Sequence, residues 1–264
     1  MIQKLKEAWI YLSTWGPFAV ITIACGSLGV LSSAVGLRSV AKRCIHWWAK
    51  GSCWVLNLKP ELSADSNADW AKSLGDLKQG IMIANHASHL DIILIAALAP
   101  FDIRILAKSS LFKVPFLGWY LRACGHIPVY RGAQKHLNES KGREAIKKAI
   151  QEGATLFFFP EGTRSRDGTL KPFRSGAFVV AEQYELMTYP LLVKGTSRLL
   201  RSGSRIIHHD ADRPCAIHFL PTLAPLGQKA EGSSPSQNAL DLSERVKEAK
   251  ARAEQVYQEA FTQD

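Results

Sequence analysis

A histidine and an aspartate five residues apart, His86 and Asp91, stand between two apolar runs. The first run, Ile81 to Ala84, follows Gly80 and reads as a buried strand. The second, Ile92 to Leu98, follows Ser88, a residue type that caps helix N-termini. The spacing predicts His86 in the turn before a helix and Asp91 in its first turn, where the two side chains can face each other. An imidazole held in this way can take a proton from a hydroxyl while the carboxylate fixes its tautomer and stabilises the imidazolium. The positive end of the helix dipole favours the ionised carboxylate. Plainer readings fit the same residues. Ser88-x-x-Asp91 is also a capping-box pattern. His86-x-x-His89 could equally be a pair of metal ligands, although no further ligand follows at a recognised spacing and His89 is expected to point away from Asp91.

Three more polar signals follow apolar runs. Asp102 to Ala107 reads as a short strand ending at Lys108. Gly125 to Arg131 reads as another, placed at a sheet edge or bulge by Pro128. Thr155 to Phe159 is wholly apolar apart from its first residue and reads as a central strand; Pro160-Glu161-Gly162-Thr163-Arg164-Ser165 follows at once. Strands are also expected at Cys53 to Leu58, Pro190 to Val193 and Cys215 to Leu220, and helices at Gln134 to Glu152 and Arg174 to Leu186. Pro60 to Gly75 and Gln228 to Gln237 read as polar connectors, and Leu240 to Phe261 as an amphipathic helix on the outside of the fold. Strands alternating with helices predict an α/β fold, a mixed central β-sheet covered by helices on both faces.

In such sheets ligands bind beyond the carboxyl ends of the strands. His86, Lys108, Arg131 and Glu161 to Arg164 are therefore expected to converge on one rim. Arg131 and Arg164 suit a phosphate, because a guanidinium fork meets two oxygens at once. Gly162 lets backbone N–H groups approach an anion closely, and Lys108 adds a point charge. A structural ion pair, such as Arg131 with Glu161, is the plainer reading of each arginine taken alone. The chain has neither a G-x-S-x-G nucleophile elbow nor a nucleotide-binding P-loop. The chemistry left is direct attack by a substrate hydroxyl on an activated acyl donor. The stretch Leu111 to Trp119, apolar and aromatic with Pro115 inside it, is either a short packed helix or a surface that meets acyl chains.

With 264 residues, 47% hydrophobic and 21% charged, the chain is neither disordered nor a polytopic membrane protein. Its net charge of +10 attracts polyanions: nucleic acid, anionic headgroups or phosphorylated substrates. Five scattered cysteines without a CxxC suit a reducing compartment. No charged residue lies between Glu7 and Arg38, and Trp9 to Leu37 is long enough to cross or enter a bilayer. A signal peptide ending at Ser32-Ser33-Ala34 is the alternative. The cations Arg38, Lys42, Arg43 and Lys50 outnumber Lys4 and Lys6, which weighs against it and places the bulk of the protein on the cytoplasmic side. Spanning helix and re-entrant hairpin both remain open, the hairpin using Arg38 to Lys50 as an interfacial helix carrying Trp47 and Trp48. Three regions are expected: a membrane-binding helical segment over 1–50, an α/β domain over 51–226, and a linker with a C-terminal helix over 227–264.

These residues together resemble the glycerolipid acyltransferase superfamily, in particular its 1-acylglycerol-3-phosphate acyltransferases. Asn85-His86-x-x-x-x-Asp91 is similar to that family's first motif, Gly125-x-Ile127-x-Val129-x-Arg131 to the second, and Phe159 to Ser165 to the third. Lys108 with Pro115 to Trp119, and Pro172-Phe173-Arg174-x-Gly176-Ala177-Phe178, also fit; the likeness runs from about Gly80 to Val193. It departs where the fourth motif keeps only Pro190 of two prolines and where Pro128 replaces a common aromatic. The resemblance implies catalysis by His86 and Asp91, and binding of a glycerol phosphate by Lys108, Arg131, Glu161, Gly162, Thr163 and Arg164. It implies an acyl thioester of CoA or acyl carrier protein as donor substrate, no metal and no cofactor. The expected partners are a lysophospholipid, possible acyl carrier protein, and a membrane surface with anionic lipids, at the cytoplasmic face. An acyltransferase for another lysolipid, such as lyso-ornithine lipid, shares the first motif. A basic nucleic-acid-binding protein is the reading from a different class, and the charge-free N-terminal segment argues against it; no nucleic acid is expected.

Overall fold

Two helices open the chain, α1 (Ile2–Ala34) and α2 (Arg38–Val55), joined by a turn at Gly36 and packed against each other as a hairpin. This computed structural model describes residues 2–64, 79–98, 102–134, 136–165, 167–201, 204, 206–208, 215–227 and 241–262. Within α1, Leu12–Ala34 is long and apolar enough to cross a membrane, with a mean hydropathy of 1.7 over its best window. Little of that stretch is buried: Leu12, Val20, Ile23, Leu28 and Leu31 face outward. Trp47 and Trp54 of α2 are exposed as well, Trp54 at 83%. The inner side of α1 rests on helix α4 (Leu117–Ala123) through Gly29, where an added Cβ would lie 2.4 Å from the Tyr120 ring. Only glycine admits that approach.

The strands are β1 (Glu61–Ala64), β2 (Gly80–Ala84), β3 (Ile103–Lys108), β4 (Ile127–Val129), β5 (Thr155–Phe158), β6 (Met187–Lys194) and β7 (Ala216–Phe219). They form one seven-stranded sheet in the order β1-β7-β6-β2-β5-β3-β4. The run from β6 to β4 is parallel, and β7 joins β6 antiparallel, so the sheet is mixed. Alternation sorts β2 between two cores. Met82 and Ala84 face the layer of α2, α3 (Leu90–Leu98) and α4. Ile81 and Ile83 face α5 (Arg143–Gln151), α6 (Gly176–Gln183) and α8 (Leu242–Thr262). Both faces are covered, as the buried apolar strands require.

Several boundaries differ from the sequence reading. Cys53 to Leu58 is not the first strand: Ala41, Cys44, Ile45, Ala49, Ser52 and Leu56 continue one buried helical face, and Asn57 in the left-handed region ends the helix. The first strand lies instead within the expected connector, as Glu61–Ala64 on the sheet edge beside β7. A π-turn over Asn138–Gly142 precedes α5, so the helix expected from Gln134 starts later. The C-terminal helix packs on the outside of the sheet, as its amphipathic pattern implies, and one of its side chains reaches the strands. Tyr257 is fully buried, and its hydroxyl lies 3.0 Å from the carbonyl of Ile83 and 2.8 Å from that of Leu191, at the carboxyl ends of β2 and β6. The linker expected at Gln228 to Gln237 lies outside the described residues.

Candidate active site

The carboxyl ends of four parallel strands supply the site, and the register fixes their relative heights. Ile83 pairs with Phe158, so His86 and Glu161 stand level beyond β2 and β5. Lys108 pairs with Val129, which brings the end of β3 beside the segment leading to Arg131. Each chemically distinctive residue thus sits where a strand stops and its side chain is freed from the sheet.

His86 and Asp91 meet as their spacing predicts. His86 Nδ1 lies 2.9 Å from Asp91 Oδ2, with Asp91 fully buried and the imidazole 18% exposed. The same carboxylate oxygen accepts from the backbone N–H groups of Ala87 and Ser88, each at 2.8 Å. The capping-box reading is therefore also correct in part: Asp91 satisfies the donors that the start of α3 leaves open. A carboxylate is an acceptor, so Nδ1 carries the hydrogen and Nε2 is left with the lone pair. The ring is set from its face as well, stacked on Phe159 with centroids 3.8 Å apart and planes 16° from parallel. Asn85 ties the preceding residue to β6, donating to Val193 O at 2.8 Å and accepting from Val193 N at 2.7 Å.

The loop after β5 is bound to this unit by its backbone. Ser165 N donates to His86 O at 2.7 Å, and Glu161 Oε1 accepts from His86 N at 2.8 Å. Glu161 Oε2 accepts from Lys171 N at 3.3 Å. Glu161 is thus turned inward, 4% exposed, and does not pair with Arg131. Burial pushes its carboxyl up to about 7, against the two backbone donors and the Lys171 charge that favour the anion. Arg131 instead donates to the carbonyl of Gly162. Gly162 has φ +70, a conformation that side chains resist, and an added Cβ would lie 2.7 Å from Arg174 Nε.

Arg131 and Arg174 therefore both lie against Gly162. Arg164, half-buried, follows two residues on; partial desolvation of His89 lowers the pKa of that histidine, and the Arg164 charge adds to the effect. Lys108 and Thr163 are exposed at the rim. Among the described residues, none of Lys108, Arg131, Arg164 and Arg174 forms an ion pair with a carboxylate. Such a group of cations calls for an anion from outside the chain. Among the described residues, no three or more His, Cys, Asp or Glu side chains are placed to hold a metal ion together. His89, the partner in the metal reading, is exposed. Sequence reasoning assigned no role to Arg174, Phe159, Asn85 or Tyr257; the first three lay within quoted motifs, while Tyr257 carried only the signal of an aromatic in an amphipathic stripe.

A His–Asp pair set in a mixed α/β sheet, beside cations that form no ion pair with a carboxylate among the described residues, can accept a proton next to a place for an anion. Residues 69–194 match the family model described as Acyltransferase. The chain is 34% identical over 180 residues to the 1-acyl-sn-glycerol-3-phosphate acyltransferase of Saccharomyces cerevisiae, covering 67% of this chain and 58% of that protein. It is 32% identical over 141 residues to the chloroplastic 1-acyl-sn-glycerol-3-phosphate acyltransferase BAT2 of Brassica napus, covering 52% of this chain and 39% of that protein. The chain thus spans between 39% and 58% of the length of these two relatives. Its fold is that of the crystal structure of the 1-acyl-sn-glycerophosphate acyltransferase PlsC from Thermotoga maritima, with a TM-score of 0.70, 21% identity, and coverage of 99% of this chain and 98% of that one.

Proposed function

We propose that this protein is an O-acyltransferase that moves a fatty acyl group from a thioester of CoA or acyl carrier protein to the sn-2 hydroxyl of lysophosphatidic acid, giving phosphatidic acid. The observation that carries the proposal is the buried Asp91 carboxylate on His86 Nδ1, beside cations that form no ion pair with a carboxylate among the described residues. His86 Nε2 takes the hydroxyl proton as the alcohol oxygen attacks the thioester carbonyl. The C–S bond breaks, and the proton passes to the departing thiolate to give the free thiol. Asp91 stabilises the transient imidazolium. Arg131, Arg164, Arg174 and Lys108 hold the acceptor phosphate, Gly162 and Thr163 shape the loop against it, and Glu161 keeps that loop docked on His86 from beneath. Lipid acceptors and acyl chains meet the protein at a membrane. The exposed apolar residues of α1 and α2 enter the lipid, with Leu111, Val114 and Trp119 of the neighbouring segment beside them. The net charge of +10 and the cations after α1 favour the cytoplasmic leaflet and its anionic headgroups.

The test uses the full chain in lipid vesicles with acyl-CoA or acyl carrier protein thioesters, offered lysophosphatidic acid or lyso-ornithine lipid. Phosphatidic acid as the main product supports the proposal, and the faster thioester identifies the donor. Transfer to lyso-ornithine lipid alone would replace the acceptor, and no transfer with either would remove the proposal.

A further inference from the structure

We propose that Thr196 is a positioning residue for the His86–Asp91 pair, orienting the buried carboxylate through the oxygen that the histidine does not use. The inference rests on the general-base reading above and extends it to a residue outside the matched stretch 69–194.

Asp91 has two oxygens with unequal surroundings. Oδ2 accepts from His86 Nδ1, Ala87 N and Ser88 N. Oδ1 accepts from Thr196 Oγ1 at 2.5 Å, the one donor to that oxygen among the described residues. Both side chains are fully buried. A buried carboxylate oxygen without a donor is costly, and the terminal torsion of Asp is broad, so a carboxylate held at one oxygen only can swing. Oδ2 already has three donors, and rotation would break the contact with His86. The Thr196 hydroxyl closes that freedom from the far side.

The chain delivers this hydroxyl by the same route that fixes the histidine backbone. Asn85 is bonded through both side-chain atoms to Val193 in β6. Two residues later the backbone turns at Gly195, and Thr196 opens the short helix α7 (Thr196–Leu199), which Leu200 N closes on Thr196 O at 3.0 Å. Asn85 and Thr196 thus reference the backbone before His86 and the carboxylate behind it to one strand end. Because the carboxylate accepts, Thr196 must donate, and valine, equal in shape, cannot replace it.

The experiment compares Thr196→Val with Thr196→Ser in the full-length protein, reading kcat and both KM values and the thermal midpoint. Thr196→Val is expected to lower kcat about 10- to 100-fold, the range for losing a hydrogen bond to a charged group, with KM values unchanged and with Thr196→Ser near wild type. In an Asp91→Ala background, where no side chain is left for the hydroxyl to orient, the Val substitution should add no further loss, because it acts through Asp91. Full kcat in a folded Thr196→Val protein, or a loss that multiplies independently in the Asp91→Ala background, overturns the inference. Should Thr196→Val not fold, Thr196→Ala against Thr196→Ser reads the same hydroxyl. His86→Ala is run alongside. Wild-type rates in that variant would remove the general base itself, whereas an inactive His86→Ala with a fully active Thr196→Val would remove only the role of Thr196.

Discussion

Replacing Asp91 with asparagine removes one charge and keeps the shape. Four donors surround the carboxylate: His86 Nδ1, Ala87 N, Ser88 N and Thr196 Oγ1. Three of them point at Oδ2, two being backbone N–H groups that cannot accept, so the asparagine amide nitrogen must turn towards Thr196, whose hydroxyl can accept. The fold is then retained and the imidazole still finds an oxygen. What is lost is the charge facing the imidazolium. With Nδ1 and Oδ2 at 2.9 Å, the charge centres lie roughly 4 Å apart, worth about 4 kcal/mol at an effective dielectric constant of about 20, or about 10³-fold in rate. The assay is thiol release from an acyl thioester with saturating lysophosphatidic acid, beside a thermal melt. A folded Asp91→Asn protein running within about tenfold of wild type would refute the reasoning, because so small a loss leaves no room for a charge-stabilised imidazolium.

Arg164→Ala should raise the KM for the lysophospholipid about 10-fold or more while leaving kcat within a few-fold, since it removes a charge that binds the acceptor in ground and transition states alike; an unchanged KM would take the phosphate away from Arg164. Glu161 is raised from 4.5 to about 7 by burial. A carboxyl with a raised folded-state value contributes stability that is complete below the unfolded value and is lost as pH rises through the folded one. The thermal midpoint of the wild type relative to Glu161→Gln should therefore fall between pH 5 and pH 8, and a constant difference would show that the loop holds Glu161 ionised throughout.

The parts of the site that precede or follow an apolar run were legible in the sequence, and those that depend on distant backbone were not. His86 and Asp91 lie five residues apart across a strand-to-helix turn, so their contact is local and the spacing alone implies it. Arg131 and Gly162 come from two strand ends whose convergence follows from the α/β pattern. Glu161, expected among the phosphate-binding residues with an Arg131 ion pair as the plainer alternative, faces inward because His86 N and Lys171 N claim both of its oxygens; a sequence displays charges but not the backbone donors of a turn. Thr196 reaches Asp91 from 105 residues away and belongs to no motif. Tyr257 caps carbonyls of β2 and β6 that no local pattern reveals as needing a donor. Cys53 to Leu58 looked like a strand because buried Leu56 and Leu58 alternate with Asn57, whereas that alternation is a helix end in which Asn57 turns left-handed. The edge strand Glu61–Ala64 is short and polar, and it gains its pairing only from β7.

The most direct measurement is the rate of phosphatidic acid formation by the folded His86→Ala protein in vesicles, with lysophosphatidic acid and an acyl thioester supplied together. Removal of the imidazole should bring transfer down to the background seen without protein, while the thermal midpoint and vesicle binding stay at wild-type values. Sustained transfer by that variant would contradict the assignment of His86 as the base that frees the acceptor hydroxyl.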